Sequence, residues 1–262
     1  MSLCARDVSL SLGHSEALAG ICLDVSPGTL TAVIGPNGAG KTSLLRVLSG
    51  ELEPSTGTVE IDGDQIDALN PAELAERRSA MGQSTPLAFD FLVDEVLAMG
   101  WVQSRCRATQ CTAMCEAARK CDITHLFGRP FRSLSGGERQ RVHFARALLQ
   151  VWPHSATANT RVGTRYMLLD EPTSSMDIAQ EILLLHVARS VLAHSVGILM
   201  VLHNLNLAAR FADCVVLIDQ GKIVAAGPPD RVLTNDLLSS VYRTPVLVER
   251  HDALGRLVVH TH

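Results

Sequence analysis

The stretch Gly35-Pro36-Asn37-Gly38-Ala39-Gly40-Lys41-Thr42 fits the pattern GxxxxGK[ST]. Successive backbone N–H groups wrap a phosphate only where side chains leave room, which accounts for the glycines. Lys41 would then reach the outer phosphates of a nucleoside triphosphate, and the Thr42 hydroxyl would hold Mg2+. By composition alone the pattern arises in roughly 1 in 100 chains of this length, so an ordinary glycine turn is the competing reading. Context favours the phosphate loop, because the pattern follows the β-branched run Leu30–Ile34 and opens an apolar-periodic stretch.

Two carboxylates end the apolar run Tyr166-Met167-Leu168-Leu169-Asp170-Glu171. Ligands gather at such strand ends in open parallel sheets. Asp170 is suited to hold hydrated Mg2+ and Glu171 to polarise an attacking water. Acidic residues also end strands without any chemical role, but downstream of a phosphate loop the chemical reading gains weight. A third stretch, Leu134-Ser135-Gly136-Gly137-Glu138, stands directly before a helical pattern. Ser135 and the N–H groups of Gly136 and Gly137 therefore offer a second anion-binding helix start. Ser at the cap with Glu three residues on is also a capping box, and both readings hold together.

Alternating strands and helices must position these groups. Cys4–Leu12, Ile21–Val25 and Leu30–Ile34 read as strands, Ser43–Leu48 as a helix stopped by Gly50, and Thr58–Ile61 as a strand closed by the Asp62-Gly63 turn. Asn70 as cap and Pro71 at the first position predict a helix over Pro71–Arg78. From Ser84 to Phe131 the patterns are helical, at Val93–Met99, Arg107–Lys120 and Ile123–Phe127. Alternation resumes with a helix at Glu138–Gln150, a strand at Tyr166–Leu169, a helix at Ile178–Leu192 and strands at Gly197–Leu202 and Cys214–Ile218. Trp152–Arg165 reads as a polar surface loop, and Val246–His262 alternates weakly enough for a small β element. The expected fold is α/β: a P-loop NTPase core with a mainly parallel sheet, an N-terminal antiparallel β element and an inserted helical subdomain. The chain reads as a single domain over 1–262, with the core at 1–83 and 132–262 and the helical subdomain at 84–131.

The 262 residues are 47% apolar and 19% charged, enough for a substantial core and unlike a disordered chain. A formal net charge of -4 argues against a general nucleic-acid surface. Seven cysteines without CxxC spacing, and a start, MSLCARDVSL, lacking signal-peptide features, predict reduced thiols in the cytoplasm. The longest apolar stretch, Val196–Leu202, is too short to span a bilayer, so a membrane role would come through a partner.

The order of the motifs, phosphate loop, Gln83, LSGGERQR, LLDEPTSSMD and His203, resembles the ATP-binding subunit of ABC transporters over essentially the whole chain. That resemblance implies nucleotide contacts from Gly35 through Ser43. It implies that Gln83 senses Mg2+ and the catalytic water, that Glu171 is the general base and that His203 is the switch histidine. Ser135, Gly136 and Gly137 would close on the γ-phosphate of ATP held by a second copy, and Ser174-Ser175-Met176-Asp177 would form the D-loop, with Asp177 near the nucleotide. The implied cofactors are ATP and Mg2+. The implied partners are a second ATPase subunit and two transmembrane permease subunits, on the cytoplasmic face of the bacterial inner membrane. Soluble relatives acting on DNA or ribosomes carry two cassettes or a long coiled-coil insertion, and this sequence shows neither. A small-molecule P-loop kinase leaves LSGGE unexplained.

One departure concerns the base. Family members usually stack an aromatic residue on adenine near the N-terminus, and Val8-Ser9-Leu10-Ser11-Leu12 offers none, with Leu10 as the expected replacement. The cargo hints are Leu87-Ala88-Phe89-Asp90-Phe91 with Val93–Gly100, which resembles the iron-siderophore, cobalamin and hemin importer group, and the extended loop from Ala147, which looks like that of hemin importers. Hemin import, served indirectly by a periplasmic heme-binding protein, is the expectation. A ferric-siderophore or cobalamin importer and a lipid or polysaccharide exporter are the alternatives. Phe89, Phe91, Leu92 and Met99 are expected mostly in the core. His154, His260 and His262, and Cys111 with Cys115, are read as non-ligating.

Overall fold

The computed structural model describes residues 1–13, 15–83, 89–102, 106–152 and 163–261. Strands β1 (Leu3–Leu12), β2 (Ser15–Val25) and β3 (Leu30–Ile34) precede helix α1 (Lys41–Leu48). Then come β4 (Thr56–Ile61), β5 (Asp64–Gln65), α2 (Pro71–Arg77), β6 (Arg78–Met81), α3 (Val93–Ala98), α4 (Arg107–Lys120) and α5 (Gly136–Gln150). The rest alternates β7 (Arg165–Asp170), α6 (Ile178–Leu192), β8 (Val196–Val201), α7 (Leu205–Phe211), β9 (Cys214–Asp219) and β10 (Lys222–Gly227). It closes with α8 (Pro229–Val232), α9 (Asn235–Tyr242), β11 (Val246–His251) and β12 (Arg256–Thr261).

The central sheet has the order β10-β9-β3-β8-β7-β6 and is parallel except for β10. Its strands are apolar at nearly every position because both faces are covered. Leu30, Ala32 and Ile34 of β3, with Met167 and Leu169 of β7, face a core built with α5 and α6. Val33 of β3, with Leu168 of β7, faces the opposite core, where α1 and the antiparallel sheet β2-β1-β4-β5 close the other side. Period-two alternation thus feeds two cores at once.

Three expectations need correction. The predicted helix over Pro71–Arg78 ends at Arg77, and Arg78 turns extended (φ -142°) to open β6. This edge strand is four residues long and pairs in parallel with β7, Arg78–Met81 against Tyr166–Leu169, and its RSAM sequence, polar at two positions, carries no strand signal of its own. Trp152 is buried and Arg165 opens β7, so neither belongs to a surface loop; residues 153–162, His154 among them, lie outside the described residues. Phe89 is 71% exposed, Met99 44% and Leu92 37%, while Phe91 is half-buried. The reason is that α3 is short and buries one face, Val93, Val96 and Leu97, leaving its flanks outside. Leu87, Ala88 and His262 also lie outside the described residues.

Between 89 and 131 the described segments hold α3, α4 and short 3-10 turns, and Val93, Ala117 and Leu126 join the same core as the sheet residues on the α5 side. The tail forms an antiparallel hairpin, β11 with β12. None of the seven cysteines forms a disulfide.

Candidate functional site

Strand register brings the chemical groups together. Val33 of β3 and Asp170 of β7 both pair with Val201 of β8, so Gly35, Glu171 and His203 emerge side by side at the carboxyl edge of the sheet. Met81 of β6 pairs with Leu169, which sets Gln83, two residues on, level with Glu171. The side chains meet accordingly: Gln83 Nε2 donates to Glu171 Oε2 (3.1 Å), and His203 Nε2 lies 2.5 Å from Glu171 Oε1.

Glu171 takes a left-handed backbone (φ 49°), an unfavourable conformation for a residue with a Cβ. Gln140 of α5 holds that turn, its amide donating to the Glu171 carbonyl (2.8 Å) and to the Ser174 hydroxyl (3.3 Å). The carboxylate is thus fixed at both its backbone and its side chain, which suits a group that must orient a water.

The phosphate loop is shaped by close approach. A Cβ on Gly35 would fall 2.1 Å from the Ile218 carbonyl oxygen, and one on Gly40 (φ 104°) would fall 2.6 Å from that of Ala17. Only glycine fits at either place. Lys41 Nζ donates to the carbonyls of Gly35 (2.7 Å) and Pro36 (2.8 Å), so the ammonium is held within the loop. Burial pushes the Lys41 amine below its usual range, while Glu171 and Asp170 oppose that shift. Gly40 gives α1 no side-chain cap and its first turn has no acid, which leaves its N–H groups directed at an anion.

A cavity of about 930 Å3 opens over this loop. It is lined by Asn37, Gly38, Ala39, Gly40, Lys41, Thr42 and Ser43, by Gln83, Glu171 and His203, and by Ser15–Ala17 with Gln220 and Gly221. Gly35 and Pro36 do not line it; they hold Lys41 from below. Asp170 is buried beside the Thr42 hydroxyl, and burial raises its carboxyl above the usual range. Neither carboxylate oxygen has a hydrogen-bond partner of normal geometry. An unsatisfied buried carboxylate next to a hydroxyl and a phosphate cradle is a donor set that fits a hydrated Mg2+.

Other expected residues stand apart. Ser135, Gly136 and Gly137 do not line this cavity. Ser135 caps α5, its hydroxyl accepting from the Glu138 N–H (3.2 Å) while Glu138 accepts from the Ser135 N–H (2.8 Å). Asp177 caps α6 by accepting from the Gln180 N–H (2.9 Å) and is likewise absent from the lining. Leu10, expected to replace the base-stacking ring, is 3% exposed and packs in the core below α1. The half-exposed Leu12 pairs with Ser15 at the cavity wall instead. Ser15–Ala17, Gln140 and Gln220 were missed as site residues. For Gln140 the signal was present, since it stands inside the SGGERQR stretch. The others line the cavity by strand pairing and turn placement, which no local pattern encodes.

The family described as ABC transporter matches residues 18–174 of the chain, more than half of it. The chain is 41% identical over 239 residues to the hemin import ATP-binding protein HmuV of Rhizobium meliloti (strain 1021), covering 91% of this chain and 90% of that one. It is 42% identical over 253 residues to the protein of the same name from Pseudomonas entomophila (strain L48), covering 96% of each. A solved ATP binding subunit of an ABC transporter superposes with a TM-score of 0.78 at 22% identity, covering 93% of this chain and 98% of that one.

Proposed function

The chain belongs to the ABC transporter family as an ATP-binding, ATP-hydrolysing subunit, and from that premise we propose that it energises heme import. What carries the enzymatic reading is the Glu171 carboxylate, held by Gln83 and His203 at the rim of a cavity floored by the phosphate loop. The names of its relatives, hemin import ATP-binding proteins at about 40% identity over nine-tenths of the chain, support the cargo.

In this reading the N–H groups of α1 and Lys41 bind the β- and γ-phosphates, and Glu171 orients the water that attacks the γ-phosphorus. His203 and Gln83 keep that carboxylate aimed. Thr42, Gln83 and Asp170 would hold Mg2+, which supplies charge neutralisation on the phosphates when bound. Two copies face head to tail, and Ser135, Gly136, Gly137 and Asp177 of one copy close over the nucleotide of the other. Their absence from the cavity of their own chain supports that assignment. Loss of the γ-phosphate removes what both loops hold, so the pair opens and a permease bound to it changes its accessible side. Among the described residues no helix is long and apolar enough to cross a membrane. The proposal therefore has two permease subunits supply the membrane path, with this chain at the cytoplasmic face of the inner membrane. The exposed Phe89, Leu92 and Met99 are the apolar surface offered to them.

The test is ATP-driven uptake into liposomes by the copurified ATPase and permease, with heme-loaded binding protein, ferric siderophore or cobalamin supplied in turn. Heme uptake is expected, and uptake of another cargo alone would reassign it. Glu171→Gln is expected to bind ATP and to turn over at least about 100-fold more slowly, as losses of a positioned base do. Wild-type turnover in that variant would remove Glu171 from the mechanism.

A further inference from the structure

His203 sits on a short connection between β8 and α7. Its β8 side is rigid, tied into the sheet by the Leu202 N–H donating to the Val33 carbonyl (3.1 Å). Its other side is α7, a helix of seven residues capped by Asn204, whose side chain accepts from the N–H groups of Asn206 (3.0 Å) and Leu207 (3.3 Å). Two turns of helix do not hold themselves in water, so packing sets where α7 lies.

Part of that packing is the C-terminal hairpin, through a specific device. Val259 of β12 stands opposite Val248 of β11, and its peptide groups point away from β11. The Asn206 carboxamide meets both: its Nδ2 donates to the Val259 carbonyl (3.0 Å) and its Oδ1 accepts from the Val259 N–H (2.8 Å). A side-chain amide thus takes the place that a third strand's peptide would fill and satisfies the hairpin's outer edge. The other edge is closed by Asn235 at the start of α9, whose Oδ1 accepts from the Val248 N–H (2.7 Å). The α9 side is also held by Ser239, whose hydroxyl accepts from the Val246 N–H (2.9 Å), whereas the β12 edge is held by Asn206, which stands on the helix that begins two residues after His203.

We propose that Asn206 is a positioning residue for hydrolysis: by clamping α7 to β12 it fixes the His203 end of the His203–Glu171 contact, so turnover depends on the hairpin at residues 246–261. This rests on the reading of the chain as an ATPase. Asn206 does not line the cavity, and its effect on turnover passes through His203.

Two clamp variants and one control in the full chain test it. Asn206→Asp keeps the acceptor but loses the donor and sets oxygen against the Val259 carbonyl, and Asn206→Ala loses both bonds. Each is expected to lower kcat for ATP about fivefold or more while leaving KM within about twofold, since misplacement near the chemistry acts on the chemical step. Asn235→Ala removes its bond to the other edge, where Ser239 still holds Val246, without touching α7, and is expected to leave kcat unchanged. Amide hydrogen exchange of 205–211 is expected to speed up about tenfold in Asn206→Asp and not in Asn235→Ala, which reads the clamp without activity. Equal loss of kcat in the Asn206 and Asn235 variants, or unchanged kcat in Asn206→Asp with faster exchange in α7, would overturn the proposal. A wild-type chain that hydrolyses no ATP would overturn the ATPase reading instead, while exchange would still report whether Asn206 holds α7.

Discussion

Two helices of this molecule begin on glycine-rich phosphate-type sequences, and they are finished differently. α1 starts at Gly40 with no side-chain cap and no acid in its first turn, and its N-terminus lies in the cavity. α5 starts at Ser135 with a complete capping box, and its N-terminus lies outside that cavity. A helix start that leaves its donors open is built to bind an anion by itself; one that satisfies part of its donors internally stands without a ligand and adds its free glycine N–H groups later. The contrast supports the proposed division, with nucleotide binding at the α1 end and closure over a second copy's nucleotide at the α5 end.

The largest effect that could break this division comes from Lys41. Its ammonium is already placed by the Gly35 and Pro36 carbonyls, so little ordering is needed when a phosphate arrives. Lys41→Ala should weaken ATP binding about 100-fold, the scale of one lost charge-assisted contact, measured by titration calorimetry on the wild type and variant. Affinity within a factor of three of wild type would show that α1 and the glycine N–H groups hold the phosphates without the lysine.

The next prediction concerns what anchors α5 behind its cap. His143 is buried against the Phe131 ring (centroids 5.0 Å) with Nδ1 unpartnered, and burial, with Arg146 and Arg139 adding, holds its pKa down at about 4. The unfolded chain binds a proton near pH 6.5 that the folded chain refuses until about pH 4. The sign follows: stability is full above 6.5, falls as pH drops through that window and levels off below 4. By pH 5 the loss should reach about 2 kcal/mol relative to neutral pH. Urea unfolding of wild type and His143→Leu at pH 7.5 and 5 checks this through the difference in slope. Identical slopes would mean that His143 is protonated in the folded chain.

The two helix starts also show how much of the site is legible in the sequence. Both were visible because each is a local pattern: glycines spaced for backbone approach, a lysine and a hydroxyl, a Ser with Glu three residues later. The strands beside them were visible as apolar runs, since both faces of the central sheet are buried. Gln83 was found by its place in the motif order, but the strand that sets it beside Glu171 was not. β6 has four residues, two of them polar, and exists through pairing with β7. Leu10 and Leu12 could not be told apart either, because β1 departs from regular register against β2 between Val8 and Ser11, and a one-residue shift exchanges the buried and exposed faces. Tertiary pairing decided those positions, and local sequence does not carry it.

A smaller effect separates cap from ligand contact at α5. If Ser135 were only a cap, Ser135→Ala would cost about 1 kcal/mol of stability and leave catalysis alone. Because its free glycine donors are proposed to close on a partner's γ-phosphate, the variant should hydrolyse ATP about tenfold more slowly, with the affinity of a single copy for ATP unchanged. Steady-state hydrolysis above and below the concentration at which copies pair separates the two outcomes, and unchanged turnover at high concentration would reduce the α5 start to a structural cap.

The smallest expected effect is at the far end of the cavity from the phosphates. Among the described residues no Phe, Tyr or Trp lines it, and Leu10, the sequence-based candidate for contact with the base, is buried. Leu12, the half-exposed strand partner of the wall residue Ser15, is apolar and has no π-face. A stacked ring contributes about 1–3 kcal/mol per base, so its absence leaves the phosphates to dominate affinity. ATP and GTP should then compete within about threefold of each other, and Leu12→Tyr should tighten both by about tenfold. A strong preference for ATP in competition binding would place a selective contact elsewhere on the wall, where Ser15, Glu16 and Gln220 are polar lining residues. The α1 end would then read the whole nucleotide, base included, and the division between the two helix starts would become sharper still.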